Sequence, residues 1–254
     1  MARTLLVRGM LVGLAAGLLA FVVGTLLGEH SLSAGIRFET ARAAAAGEAP
    51  AAEMYSRTVQ STVGLASASL IFGVALGGIF ALAYGVVQGR LGRLGVRATA
   101  LTVAVGGFLA LYLLPALKYP ANPPGASDST TIGHRTDLYF LILAASVLIV
   151  VGTVITARQL APRFGAWNGA LLALLGGVVA LGVMYAGLPG VDETPVGFSA
   201  GVLWRFRIAS AAIQLTTWTT LGLLFGAWTE RAMRTSSTAD PGRAREAAQV
   251  PAGG

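Results

Sequence analysis

The chain has 254 residues, of which 55% are hydrophobic and only 11% charged, and its mean hydropathy is +0.71. Soluble domains carry about 25% charged residues, so a soluble globular enzyme does not fit. The net charge of +7 could suit a polyanion, but the basic residues stand singly between apolar runs and form no patch, which sets nucleic acid aside. Cysteine is absent, and with it disulfides, thiolate metal sites, iron–sulfur ligation and a cysteine nucleophile.

Charged residues punctuate six uncharged stretches: Gly9–Gly28, Thr58–Gly89, Ala98–Leu117, Leu138–Ala157, Phe164–Val191 and Ile208–Thr229, none shorter than 20 residues. About 20 apolar residues cross the roughly 30 Å hydrocarbon core of a bilayer. The expectation is an all-α integral membrane protein with six transmembrane helices, near 7–28, 60–88, 97–117, 137–157, 165–188 and 206–229. Soluble core helices would need an amphipathic polar face that these runs lack.

In chain order, the first span carries Gly9, Gly13 and Gly17 at four-residue spacing, followed by Gly24 and Gly28. Such spacing puts glycines on one helix face, where backbones can approach closely. Gly73 with Gly77 and Gly222 with Gly226 repeat it in the second and sixth spans, and tight packing within the chain is expected, with a homo-oligomer interface as the alternative. A basic start before an apolar run also fits a cleaved signal peptide, which would leave five spans. The apolar region is longer than that of a signal peptide, however, and no Ala-x-Ala site follows. After it, Gly35–Ala46 reads as a short surface helix closed by Gly47 and Pro50. The second span is too long for the bilayer, so its polar first turn, Arg57 to Thr62, is expected to project into a vestibule. Residues 235–254 read as a disordered cytoplasmic tail.

With both termini inside, the inner segments hold 11 basic and three acidic residues, against seven basic and eight acidic outside. The resulting split of +8 to −1 matches the retention of Lys and Arg on the cytoplasmic side. Inner connections are also short, Arg90–Arg97 and Arg158–Arg163.

No GxxxxGK[ST], GxSxG or HExxH pattern occurs, and all six cores lack ionisable Asp, Glu, His, Lys and Arg, so an enzyme is not expected. The outer segments are the remaining place for chemistry. Glu29, His30, Glu53, His134, Asp192 and Glu193 offer the oxygen and imidazole ligands that suit a borderline divalent ion, and are the candidate metal-capture residues. Around them stand Arg57, Gln60, Lys118, Tyr119, Asn122, Arg135, Asp137, Trp204, Arg205 and Arg207. Their arginines are expected to clamp the outer face by pairing with carboxylates or loop carbonyls, because a cationic cargo gains nothing from a guanidinium.

Four segments carry a resemblance. YSRTVQSTVGL at Tyr55–Leu65, LKYPANPP at Leu117–Pro124, IGHRTDLY at Ile132–Tyr139 and LWRFRIAS at Leu203–Ser210 together resemble the CbtA family of proposed cobalt transporter subunits, over residues 1 to about 230. The resemblance implies cobalt uptake through a cytoplasmic membrane, with a small single-span, histidine-rich CbtB-type subunit as partner. Seventeen Arg to one Lys, with abundant Ala and Gly, agrees with a bacterial source. The expected function is a permease subunit for Co²⁺ or a related divalent cation, as substrate and with no permanently bound cofactor. The alternatives are a non-transporting membrane scaffold for a metal-handling partner and a transporter of an anionic or chelated substrate.

Overall fold

The computed structural model describes residues 2–48, 55–92, 94–127, 131–191 and 194–238, with side chains to residue 235. Six helices long and apolar enough to span a membrane organise the chain: α1 Ala2–Ala45, α2 Arg57–Val87, α3 Val96–Lys118, α4 Ile132–Phe164, α5 Ala166–Gly187 and α6 Ala200–Thr238. No strand occurs among the described residues. The protein is therefore an all-α, multi-pass membrane protein, and burying every backbone N–H and C=O within its own helix is what permits these segments to sit in hydrocarbon.

Both described chain ends fall at the same end of the bundle. Gly9 of α1 meets Gly77 of α2, and Glu230 near the end of α6 pairs with Arg97 at the start of α3. The opposite end, hereafter distal, carries the extension of α1 and the connections α1–α2, α3–α4 and α5–α6.

Four helices form the body. The α1 glycines interdigitate with those of α2: a Cβ on Gly13 would overlap the carbonyl oxygen of Gly73, and one on Gly77 would lie 2.8 Å from Cα of Gly13. In α6, Gly222 and Gly226 sit against Ala104 and Ala100 of α3. The close packing within the chain expected from the spacing is thus present, and it is the dispersion available to helices when hydrocarbon supplies no hydrophobic drive. Phe80, Tyr84, Trp218, Leu221 and Phe225 fill the body between these contacts. Helices α4 and α5 make a separate hairpin against the distal part of α3.

Several boundaries differ from the sequence expectation. The segment 35–46 is not a separate surface helix: α1 continues unbroken through a π-helical turn at Gly24–Gly28 to Ala45. Its 44 residues would reach about 66 Å, roughly twice the hydrocarbon core. The extension is held by tertiary contact, with Gly35 lying 2.6 Å, at its would-be Cβ, from the carbonyl of Pro124 and Phe38 edge-on to Phe198 at 5.0 Å. The connection Arg158–Arg163 is helical too, because α4 runs to Phe164 and the reversal is made at Gly165 alone, whose φ of 81° is open to glycine. α6 likewise passes position 235 and stays helical to Thr238; residues 239–254 of the expected tail lie outside the described residues.

Two more π-helical turns occur, at Gln60–Gly64 in α2 and Leu109–Leu113 in α3, both in the distal half. Local chemistry accounts for them. In α3, Pro115 has no N–H for the Leu111 carbonyl and its ring would strike that oxygen, which a wider turn relieves. In α2, the hydroxyls of Ser61 and Thr62 both take the Thr58 carbonyl, at 3.3 and 2.6 Å, competing with the regular helix ladder.

Candidate functional site

A cavity of about 460 Å³ opens between α3, α4 and α6 at the distal end. From α3 and its exit come Tyr112, Tyr119 and Asn122; from α4, Arg135, Thr136 and Tyr139; from α6, Arg207, Ser210 and Gln214. A second, smaller pocket of about 140 Å³ shares Ser210 and Gln214 and reaches Gly28 at the π-helical turn of α1. Two of the three π-helical turns therefore supply residues to this region, in keeping with the frequent placement of such turns at functional sites.

The positions follow from helix geometry. Arg207, Ser210 and Gln214 are spaced three and four apart, so they form one stripe along α6; Arg135 and Tyr139 do the same on α4. The rim is tied by polar bonds. Lys118 Nζ donates to the Tyr185 carbonyl at 3.0 Å, and Tyr119 Oη donates to that of Pro189 at 2.9 Å, joining the exit of α3 to the end of α5. Burial pushes the Tyr119 phenol above its ordinary value. Tyr185 Oη closes the same seam by donating to the Leu114 carbonyl. Arg207 Nη2 donates to Asn122 Oδ1 at 2.9 Å, while its Nε is buried without a partner among the described residues. Tyr112 Oη lies 3.5 Å from Ser210 Oγ across the cavity.

Two guanidiniums, Arg135 and Arg207, line the cavity beside Val191 and Thr194 of the α5–α6 connection.

A family model for CbtA, described as a probable cobalt transporter subunit, matches residues 2–230. The chain belongs to the CbtA family. No curated protein and no solved structure matches it. The CbtA-like segments take on a spatial meaning here, for the ones at Leu117–Pro124, Ile132–Tyr139 and Leu203–Ser210 all contribute to the cavity wall, and the one at Tyr55–Leu65 holds the π-helical turn of α2.

Of the residues singled out for metal capture, Glu29, His30 and His134 are described, and these three do not gather. Glu29 accepts from Arg57 Nη2 at 2.6 Å and from Ser33 Oγ at 2.9 Å, so its carboxylate is engaged. His30 and His134 are exposed on different helices, and no group of three His, Asp or Glu side chains comes together among the described residues. Glu53, Asp192 and Glu193 lie outside the described residues. Of the surrounding cluster, Arg57 forms the cross-helix carboxylate pair expected of it, whereas Arg135 and Arg207 face the cavity. Gln60 bonds the Tyr55 carbonyl, and Asp137, Trp204 and Arg205 are exposed. Ser210, Thr136 and Tyr139 were not singled out by sequence reasoning, although the polar stripe 207–210–214 on α6 was a legible signal.

Proposed function

We propose that this CbtA protein is the permease subunit of a cobalt uptake system in the bacterial cytoplasmic membrane, with its distal end outside and both termini in the cytoplasm. The family description supplies the transported element and the word subunit. The cavity carries the transport role: a scaffold needs no polar chamber inside an apolar bundle, where polar side chains are costly and commonly mark a substrate path. The excess of basic residues on the segments at the termini supports the orientation. Cobalt is then cargo and not a resident cofactor.

A subunit implies a partner, and we assign that part to a small, single-span, histidine-rich protein. The lack of a His, Asp and Glu cluster among the described residues supports a division of labour in which the partner brings nitrogen ligands. The test is cobalt accumulation in cells devoid of other cobalt uptake, expressing this chain with and without the partner. Accumulation should require this chain and fall to background in Gln214→Trp, which fills the cavity floor, at unchanged abundance in the membrane. Parent-level uptake by Gln214→Trp would instead leave the chain a scaffold.

A further inference from the structure

The cavity ends at Gln214, but the face of α6 that lines it does not. Arg207, Ser210 and Gln214 continue at three- and four-residue spacing through Trp218, Leu221, Phe225 and Thr229, so they lie on one stripe of the helix. From Gln214 this stripe runs about 23 Å toward the end that carries the described chain ends. Below Gln214 it is closed. Trp218 lays its ring on Gly107 of α3, where a Cβ would overlap it, and Phe225 stands edge-on to Phe80 and Tyr84 of α2 at 5.3 and 5.0 Å. Leu221 and Phe225 are wholly buried.

Packing alone does not account for the polar atoms in this plug. Trp218 Nε1, Tyr84 Oη and Thr229 Oγ1 are all buried without a hydrogen-bond partner among the described residues. Phe at position 84 and Val at 229 would fill nearly the same space and strand no polar atom. Such atoms, continuing a polar chamber along one stripe, suit a path that is dry when shut and wetted when open, because arriving water satisfies them.

We propose that the α6 stripe from Gln214 to Thr229 is the route by which cobalt leaves the cavity toward the termini, and that Trp218, Phe225 and Tyr84 form its gate, shut in this structure. The proposal rests on the cobalt-permease reading and adds to it the path and the residues that close it. Closed rings bar a hydrated ion by excluding its water, and once parted their faces attract a cation.

The chain contains no cysteine, so an introduced cysteine is the sole target of a thiol reagent. Purified full-length Leu221→Cys in detergent should react slowly with a charged methanethiosulfonate. Adding Trp218→Ala should speed that reaction at least about tenfold, as for a tenfold larger open population. Ala20→Cys on α1, also buried, reports general loosening and should react equally slowly with and without Trp218→Ala. Phe225→Leu replaces Trp218→Ala if the latter does not insert. Tyr84→Phe should keep a thermal midpoint at or above the parent's, yet accumulate cobalt about threefold more slowly in cells, as for one hydrogen bond lost to the open path. The gate is overturned if Leu221→Cys stays protected when the plug is cut back, if Ala20→Cys gains reactivity to the same degree, or if Tyr84→Phe accumulates cobalt at the parent's rate. The two readings fail separately. Accumulation that needs this chain while Leu221→Cys stays protected overturns the path and leaves the permease standing; gated labelling of Leu221→Cys with no accumulation by the parent overturns the cobalt permease and leaves the path.

Discussion

The two ends of this bundle are built on opposite principles. Toward the termini, small residues bring α1 onto α2 and α3 onto α6, and aromatic rings close the middle, with Phe225 edge-on to Phe80 at 5.3 Å and to Tyr84 at 5.0 Å. Toward the distal end the helices widen into π-helical turns, the α4–α5 hairpin packs on the last part of α3, and polar side chains line the space between α3, α4 and α6. The first region is held by contact between backbones that tolerate no added atom, the second by individual polar bonds across a gap.

The contrast predicts where substitutions will hurt. The largest effect is expected at the glycine seam. Gly13→Val or Gly77→Val should cost about 3 kcal/mol or more, since each Cβ would overlap backbone of the facing helix. The yield of monodisperse protein in detergent should collapse. Gly85→Val and Gly182→Val, where nothing lies within 4 Å, should behave nearly as the parent; equal losses at all four positions would erase the distinction between seam and surface.

A smaller effect is expected at the distal ion pair. Arg57 and Glu29 are half-buried at 2.6 Å and join α2 to α1. Partial exposure limits such a pair to a coupling of about 1 kcal/mol. A double-mutant cycle of Arg57→Ala and Glu29→Ala, read by thermal unfolding in detergent, should show that coupling. A coupling near zero would mean that packing, including Gly35 on Pro124 and Phe38 on Phe198, holds the extension of α1 without this pair.

The smallest effects should differ in sign between the ends. Tyr84 is fully buried and its hydroxyl has no partner among the described residues, so Tyr84→Phe removes an unsatisfied polar group and should be neutral or slightly stabilising. Tyr119→Phe at the cavity rim deletes the exposed bond to Pro189 and should lower stability by about 0.5 kcal/mol. Thermal midpoints measured side by side check this, and a loss in Tyr84→Phe equal to that in Tyr119→Phe would break the comparison.

Length, composition and charge spacing alone determined the six spans and the membrane class, because the thickness of hydrocarbon imposes a count of apolar residues that can be read without any partner. The four-residue glycine spacing likewise announced close approach, though which helices met was settled only by packing. The continuation of α1 past Gly28 was hidden, because a polar helix outside the bilayer is stabilised by contacts that a single segment does not contain, here Gly35 on Pro124 and Phe38 on Phe198. The site was the least legible part. Sequence reasoning looked for metal ligands and found acids and histidines on separate loops; the tertiary structure instead brought Asn122, Arg135, Arg207 and Gln214 to one chamber. Their sequence separations span nearly a hundred positions, and only the crossing of α3, α4 and α6 makes them neighbours.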